Sequence, residues 1–169
     1  MATKTSYEER AYKFAVRTLS KLFENCIDQS DFIHAIDNYN DTHTNKLQWA
    51  NGVSRFAIIR ADYVVKVDYN PYPEGWGDSH TEEKVYKRAL ADGMDYLLAK
   101  TSVFELRNHT FAIMPKIADV HNRRKNWFDN CNEKEYNWIT ENIKDIHSGN
   151  YGFRNGKVCF IDYAWDAKA

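Results

Sequence analysis

The chain has 169 residues and a mass of 19.9 kDa, which corresponds to one domain. Hydrophobic residues make up 43% of it and charged residues 28%, with only 7 Gly and 3 Pro, so a disordered or fibrous protein is excluded. The formal net charge of -1 provides no overall field that would attract nucleic acid or an anionic membrane. Neither is therefore an expected partner.

The sequence predicts a soluble, cytoplasmic protein. No stretch approaches the roughly 20 apolar residues of a membrane span, and residues 1–13 lack the apolar core of a secretory signal. Cys26, Cys131 and Cys159 are dispersed and show no CxxC spacing. We therefore expect reduced, packed thiols rather than a disulfide framework or a zinc site.

The N-terminal region predicts two helices. Apolar residues recur every three or four positions from Tyr7 to Ile27, which is typical of a helix with one buried face. A second, short helix is expected to begin with Ser30 or Asp31 as its N-cap and to end in the Asn- and Asp-rich run 38–45. We find no chemistry in this pair of helices and interpret it as packing support for the rest of the domain.

From Leu47 onward the pattern changes to strands. Asn51-Gly52 is a two-residue hairpin signal, because both turn positions need a positive φ, and it precedes a strand that ends at Ile59. A turn at Ala61-Asp62 reverses the chain into a strand over 63–67. Together these segments predict a three-stranded antiparallel meander.

A loop and a helix come next. Two prolines and two glycines lie between Asp68 and Asp78, and this segment predicts a long loop because such residues interrupt both helices and strands. Ser79 and Glu82 have the spacing of a capping box and open a helix that runs through Leu90. Asp92-Gly93 is expected to close that helix.

Further strands and one helix complete the pattern. Residues 102–106 and 110–114 predict two strands joined by a hairpin at 107–109. A helix is expected over 133–143, and a second Asn-Gly pair, Asn155-Gly156, predicts a hairpin near the C-terminus. The sum is an α+β fold whose five-stranded antiparallel sheet carries one inserted helix.

Four polar residues at the ends or faces of these apolar elements, together with Asn150, point to phosphoryl transfer. That reaction needs a cation on the nucleotide phosphates, acceptors for magnesium, and a carboxylate that orients the attacking hydroxyl and accepts its proton. Lys66 lies within a strand, Asp145 follows a helix, and Asp162 ends a strand. Lys66 could supply the cation, Asn150 with Asp162 the metal ligands, and Asp145 the base, while Glu82 lies in the first turn of a helix.

The order of these residues resembles that of the protein kinase-like superfamily. Residues 145–150, DIHSGN, match its catalytic loop in the DxHxGN form of small-molecule kinases such as the aminoglycoside and choline kinases. Residues 63–66 look like the strand whose lysine meets the phosphates, and residues 160–164 look like the strand and DFG-like triplet whose Asp holds magnesium. The likeness spans Leu47 to about Trp165.

This resemblance implies a protein kinase-like fold that binds ATP and Mg²⁺. We expect a single domain in which residues 1–46 form a helical extension, 47–115 a small lobe and 116–169 a truncated large lobe. It implies that Asp145 is the catalytic base and that Glu82, or failing it Glu83, orients a phosphate-binding lysine. The residues implied at the nucleotide are Lys66, Val64, Met114, and Gly52 with Ser54 in a reduced glycine-rich loop; those implied at the metal are Asn150 and Asp162.

Each assignment has a structural alternative. Lys66 could protect an edge strand from aggregation, and Glu82 could act only as the capping-box partner. Against the latter, Val85, Tyr86 and Ala89 lie three, four and seven residues after Glu82, which places it on a buried face. Asp145 and Asn150 could merely cap turns, and His147 could be a metal ligand, although we favour a loop-packing residue.

Departures from the family leave two functions open. The glycine-rich loop has one glycine and Tyr163-Ala164 replaces Phe-Gly. We also expect the acceptor platform of the large lobe to be largely missing. Small chains of this kind resemble phage-encoded proteins that act in the host cytoplasm. The first function is a minimal kinase that phosphorylates a protein or small molecule. The second is an inactive pseudokinase-like module that binds and inhibits a host or defence protein, and for either function a homodimer is possible.

Overall fold

The computed structural model describes residues 6–69 and 77–168. These residues form a mixed α+β structure with a five-stranded antiparallel sheet, as predicted. The chain divides into two compact units. Unit 1 comprises Met1–Ser79 and Ser102–Lys116, and unit 2 comprises His80–Thr101 and Ile117–Ala169.

The first predicted helix of unit 1 is present but ends early. Helix α1 (Tyr7–Phe14) continues through a π-helical segment, Ala15–Leu19, into the short helix α2 (Ser20–Leu22). The predicted end at Ile27 is therefore wrong, and that side chain is 59% exposed.

Helix α3 (Gln29–Thr42) begins before the predicted start. Its N-cap is Asp28, whose side chain accepts from the Asp31 backbone N at 3.1 Å. The Asp31 carboxylate in turn accepts from the Asp28 backbone N at 3.3 Å. The prediction of Ser30 or Asp31 as the cap is wrong, because Asp31 is the third helical residue of a capping box.

The sheet of unit 1 is antiparallel throughout, with strand order β1-β2-β3-β5-β4. The N-terminal helices and one face of this sheet share a core that includes Phe23, Phe32, Phe56, Val65 and Phe111. The interpretation of these helices as packing support is confirmed. The strands are β1 (Gln48–Asn51), β2 (Arg55–Ile59), β3 (Tyr63–Asp68), β4 (Ser102–Leu106) and β5 (His109–Pro115).

The β1–β2 connection differs from the predicted two-residue turn. Strand β1 ends at Asn51 and β2 begins at Arg55, so the loop has three residues, 52–54. Neither Asn51 nor Gly52 has a positive φ. Instead the Gly52 N–H donates to the Arg55 carbonyl at 2.8 Å.

The β4–β5 hairpin is present with a shorter turn than predicted. Arg107 and Asn108 have φ values of 49° and 65° and form the turn by themselves. His109, which was expected in the turn, belongs to β5 and pairs with Leu106. Its buried Nε2 lies 2.7 Å from the Phe23 carbonyl, which fixes it in the strand.

Helix α4 (Asp78–Ala91) is capped by a residue from β3. The Ser79 hydroxyl and backbone N donate to the Asp68 carboxylate at 2.5 and 3.2 Å, and burial raises the pKa of Asp68. The prediction of Ser79 as N-cap is wrong, because the helix begins before it and its hydroxyl serves Asp68. Gly93, with φ 69°, follows the helix end as predicted. Of the predicted loop 68–78, residues 70–76 lie outside the described residues.

Unit 2 combines most of α4 with a second helix and a hairpin. Helix α5 (Glu133–Asn142) matches its prediction to within one residue and starts with a capping box between Asn132 and Glu135. Strands β6 (Tyr151–Arg154) and β7 (Lys157–Phe160) form the second sheet. The core of this unit includes Val85, Leu98, Trp138, Ile139, Val158, Phe160 and Tyr163.

The β6–β7 turn is the predicted two-residue turn. Asn155 and Gly156 have φ values of 53° and 76°, both in the left-handed region that a type I′ turn requires. This turn sets the register that pairs Tyr151 with Phe160 at the other end of the hairpin.

The cysteines are free, as expected of packed thiols. Burial raises the pKa of both Cys26 and Cys159 to about 11, which keeps these thiols protonated at neutral pH. Within residues 6–69 and 77–168, no helix combines the length and the apolar character needed to cross a membrane.

Glu135 provides a test of the packing of unit 2. Burial alone would raise its pKa, but hydrogen bonds from Lys157 at 2.7 Å, from the Tyr96 hydroxyl at 2.7 Å and from the Asn132 N–H outweigh burial and lower the pKa. We expect Glu135→Gln to reduce the free energy of unfolding by about 2 kcal/mol at pH 7. Because the folded pKa is lowered, this difference is complete above the unfolded pKa of about 4.3 and disappears as the pH falls through the folded value.

Urea unfolding at pH 7 and at successively lower pH measures this difference. Glu141→Gln, an exposed position on the same helix, is the matched control and should leave stability unchanged. A pH-independent loss in Glu135→Gln would contradict the assignment.

The two Asn-Gly pairs give a second, internally controlled test. Gly156→Ala places a Cβ at φ 76° and should destabilise the protein by about 1 kcal/mol. At Gly52 the φ is ordinary and an added Cβ would lie 3.6 Å from the Arg55 carbonyl oxygen, so Gly52→Ala should change stability by less than about 0.5 kcal/mol. Thermal unfolding of both variants measures these two changes in stability. Equal losses for Gly156→Ala and Gly52→Ala would contradict the difference in turn geometry.

Candidate functional site

The segment 145–150 connects α5 with β6 and is held together by Asn150. This side chain is buried, at 6% exposure. Its Nδ2 donates to the Asp145 carbonyl at 2.9 Å and to Asp145 Oδ2 at 3.2 Å. The two bonds turn Nδ2 toward Asp145, so the amide oxygen Oδ1 of Asn150 points away from that carboxylate.

The backbone of Asn150 links the same segment to Asp162. The Asn150 carbonyl accepts from the Ile161 N–H at 2.8 Å and from the Asp162 N–H at 3.3 Å. Asn150 directly precedes β6 and Asp162 follows β7 by two residues, so both lie at the open end of the hairpin. The structure thus links Asn150 to Asp145 through its side chain and to Asp162 through backbone groups.

Glu82 joins this group through the residue after Asp162. The Tyr163 N–H donates to Glu82 Oε1 at 3.2 Å, and Glu82 is completely buried. The prediction that Glu82 lies on the buried face of its helix is confirmed. The alternative role of Glu82, as the capping-box partner of Ser79, is wrong. Ser79 donates to Asp68 instead, and Glu82 accepts from the Tyr163 N–H.

His147 uses both ring nitrogens within the loop. Its Nδ1 accepts from the Gly149 N–H at 3.1 Å, and its Nε2 lies 3.5 Å from Asp145 Oδ2. Because Nδ1 is an acceptor, the ring hydrogen of a neutral imidazole is on Nε2, facing Asp145. Among the residues that the structure describes, no group of three or more His, Cys, Asp or Glu side chains is placed to hold a metal ion. The contact with the Gly149 N–H agrees with the loop-packing interpretation of His147, and the metal-ligand alternative stays open.

His121 supports the loop from outside, although no sequence pattern pointed to it. Its N–H donates to the Ser148 carbonyl at 2.8 Å, and its φ is 64°. A Cβ added to Gly149 would lie 2.9 Å from His121 Cε1 and 3.0 Å from His147 Cε1, so a side chain at this position would require the two rings to shift. A left-handed histidine in a polar turn has no sequence signature, which is why it was missed.

Lys66 lies in a central strand of the unit 1 sheet. It pairs with Ala57 of β2 on one side and with Ala112 of β5 on the other. The edge-strand alternative is therefore wrong. Lys66 is 8% exposed, which is unusual for a lysine. The pairing of Lys66 with Glu82 stays a prediction. Glu83 is the second candidate partner of Lys66, and its Oε1 lies 3.3 Å from Lys87 Nζ.

Val64 and Met114 share the sheet face of Lys66. They are cross-strand partners, and Val64 precedes Lys66 by two residues on β3. The opposite face carries Val65 and Val67, which belong to the core with the N-terminal helices. Val64 is half-buried and Met114 is buried. The three nucleotide-binding candidates on the strands therefore lie on one surface of the sheet.

The remaining candidates lie in the β1–β2 loop. The Ser54 hydroxyl donates to the Asp78 carboxylate, and its carbonyl accepts from the Tyr69 N–H at 2.9 Å. The Gly52 N–H donates to the carbonyl oxygen of Arg55, the residue that follows this loop. Contacts within unit 1 thus hold the loop in place, and the Asp78 carboxylate lies next to the Ser54 hydroxyl.

Comparisons with known proteins give a distant structural likeness. No family model matches the chain, and no curated protein matches it. Four chains of solved structures match, including a crystal structure of WbdD with a TM-score of 0.44 and 15% identity over 71% of this chain and 33% of WbdD. A co-crystal structure of WbdD and the kinase inhibitor LY294002 has a TM-score of 0.37 and 14% identity over 71% of this chain and 32% of that one. The chain spans about a third of the WbdD chains that it matches, and likeness at this level assigns no activity.

Asn150 provides the test of the site geometry. Asn150→Ala removes both donors to Asp145 and should lower the free energy of unfolding by about 1–3 kcal/mol. Asn150→Asp should cost more at neutral pH, because it places a second carboxylate next to Asp145, and acid should relieve part of that cost. Urea unfolding at pH 7 and pH 4 measures both. Identical losses for the two variants at both pH values would contradict the contact with the Asp145 side chain.

Proposed function

We propose that the chain is a protein kinase-like phosphotransferase that uses ATP and Mg²⁺ to phosphorylate a hydroxyl group. The observation that carries the proposal is the hydrogen-bonded group in unit 2. Asn150 bonds to Asp145 through its side chain and to Asp162 through its carbonyl. These bonds hold the base candidate Asp145 next to the metal-ligand candidate Asn150 and tie the backbone of Asp162 to the same loop, in the chain order of the family's catalytic loop and DFG-like triplet.

Asp145 is the proposed base. Its side chain is 46% exposed, so an acceptor hydroxyl can approach it, and Asn150 and His147 lie against one of its oxygens. The carboxylate accepts the proton of the hydroxyl as that oxygen bonds to the γ-phosphorus of ATP. The bond from this phosphorus to the bridging oxygen breaks, and ADP leaves with the electron pair.

The residues present fit a magnesium ion. Mg²⁺ binds through one or two carboxylates together with phosphate oxygens, and therefore does not require a cluster of three acidic or histidine side chains. Asp162 would supply a carboxylate and Asn150 its Oδ1, which the bonds from Nδ2 direct away from Asp145. When bound, the ion would neutralise charge on the transferring phosphoryl group.

The roles in unit 1 rest on the family resemblance. Lys66 would meet the phosphates, and the shared face of Val64 and Met114 would meet the adenine. Lys66 is 8% exposed in a central strand, on the sheet face that it shares with Val64 and Met114. Glu82 is the proposed orienting carboxylate.

One observation favours the alternative of an inactive, pseudokinase-like binding module. The Ser54 hydroxyl donates to Asp78, so a negative charge lies where the resemblance would place nucleotide phosphates. A phosphate at this loop would have to compete with that carboxylate. Such a module, phage-encoded and directed at a host protein, would bind its partner without turnover.

The first experiment is a calorimetric titration with ATP, in the presence and absence of Mg²⁺. We expect binding that requires the metal, and Asp162→Asn should weaken it at least tenfold. Asp145→Asn should retain binding but lower label transfer from γ-labelled ATP by about 10²–10⁴-fold, because the base is lost.

Asp119→Asn is the matched control, since it makes the same change of charge at an exposed carboxylate of unit 2 that pairs with Lys125. It should behave as wild type in both assays. Absence of any ATP binding would refute the kinase and support the binding module. Full transfer activity in Asp145→Asn would remove the base assignment.

A further inference from the structure

The residue after Asp162 is a buried tyrosine with a hydrogen-bonded hydroxyl. Tyr163 is 1% exposed. Its hydroxyl lies 2.5 Å from the Ala99 carbonyl oxygen and 2.8 Å from Thr101 Oγ1. A carbonyl can only accept, so Tyr163 donates to Ala99 and the Thr101 hydroxyl donates to Tyr163. Burial raises the pKa of this phenol well above its usual value, so it stays a donor.

Ala99 is itself tied to the strand that leads to Asp162. The Ala99 N–H donates to the Phe160 carbonyl at 2.8 Å, and Leu98 forms a parallel bridge with Phe160. The two backbone groups of Ala99 therefore hold the chain at Phe160 and at Tyr163. Asp162 lies between these anchors, with only Ile161 separating it from the first.

Two further bonds complete the enclosure of this segment. The Asp162 N–H donates to Asn150, and the Tyr163 N–H donates to the buried Glu82. Every residue from Phe160 to Tyr163 thus has a backbone bond to another element of unit 2. A phenylalanine at position 163 would fill the same space but would leave the Ala99 carbonyl and the Thr101 hydroxyl without this partner.

We infer that Tyr163 is a positioning residue whose hydroxyl fixes Asp162 in the orientation that binds a divalent cation. The inference rests on the proposed function for the role of Asp162. It assigns to Tyr163 a pre-organising effect on metal affinity, because a ligand that is already held in place loses less conformational freedom on binding. The size expected from one buried hydrogen bond is about five- to tenfold in affinity.

The test is the affinity for Mn²⁺, used as a spectroscopic substitute for Mg²⁺, in the presence of a non-hydrolysable ATP analogue. Electron paramagnetic resonance of free Mn²⁺ gives the dissociation constant without any turnover. Tyr163→Phe should raise this constant about five- to tenfold. Thr101→Val, which removes the donor to Tyr163 but keeps its shape, should raise it about two- to threefold by loosening the same hydroxyl.

Tyr96→Phe is the matched control. It deletes another hydrogen-bonded phenol of unit 2, one that donates to Glu135 at 2.7 Å, far along the chain from Asp162. It should reduce stability without changing the Mn²⁺ constant, which separates positioning from general destabilisation. All proteins are compared well below their unfolding midpoints.

Each outcome decides between defined alternatives. Unchanged Mn²⁺ affinity in Tyr163→Phe overturns the positioning role while leaving the proposed function intact. An equal rise in Tyr163→Phe and Tyr96→Phe also overturns it, because the effect would then be one of stability. Wild-type protein that binds no Mn²⁺ with the analogue overturns the proposed function and this inference with it. If Tyr163→Phe does not fold, Thr101→Val decides by the same criterion.

Discussion

The register of the β6–β7 hairpin is the constraint on which the candidate site depends. Its two-residue turn at Asn155-Gly156 forces Tyr151 opposite Phe160. Asn150 directly precedes Tyr151, and Asp162 follows Phe160 by two residues. A change of register by one residue would turn alternate side chains to the other face and separate the Asn150 carbonyl from its two donors. A local φ preference at one end of the hairpin therefore fixes a polar geometry at the other.

The same dipeptide predicted one turn correctly and the other incorrectly, and the reason is tertiary. At Asn155-Gly156 the turn is exposed, so local conformational preference decides the structure. At Asn51-Gly52 the loop continues to Ser54, whose carbonyl binds Tyr69 and whose hydroxyl binds Asp78. These contacts draw a third residue into the loop and remove the need for a positive φ. Partners that distant along the chain could not be inferred from the local pattern.

Element types and the order of the polar residues were predictable, but their hydrogen-bond partners were not. The alternation of strands, the helix patterns and the DIHSGN segment all depend on residues close in sequence. The bonds that organise the site join Tyr163 to Glu82 and Tyr163 to Ala99, across 81 and 64 residues. Sequence reasoning placed Glu82 on a buried face, yet it could not identify a backbone N–H as its donor.

At the start of helix α4, Ser79 is bonded to Asp68 rather than to Glu82, and this exchange of partners affects the candidate site. A Ser-x-x-Glu sequence is adapted to cap its own helix, which would engage Glu82 at the helix start. Here Asp68 at the end of β3 accepts from both the hydroxyl and the backbone N of Ser79, so that function is already fulfilled. Glu82 instead lies in the interior, where a carboxylate is costly unless it is bonded. The Tyr163 N–H donates to one oxygen of this carboxylate, and the segment carrying Asp162 is anchored as a consequence.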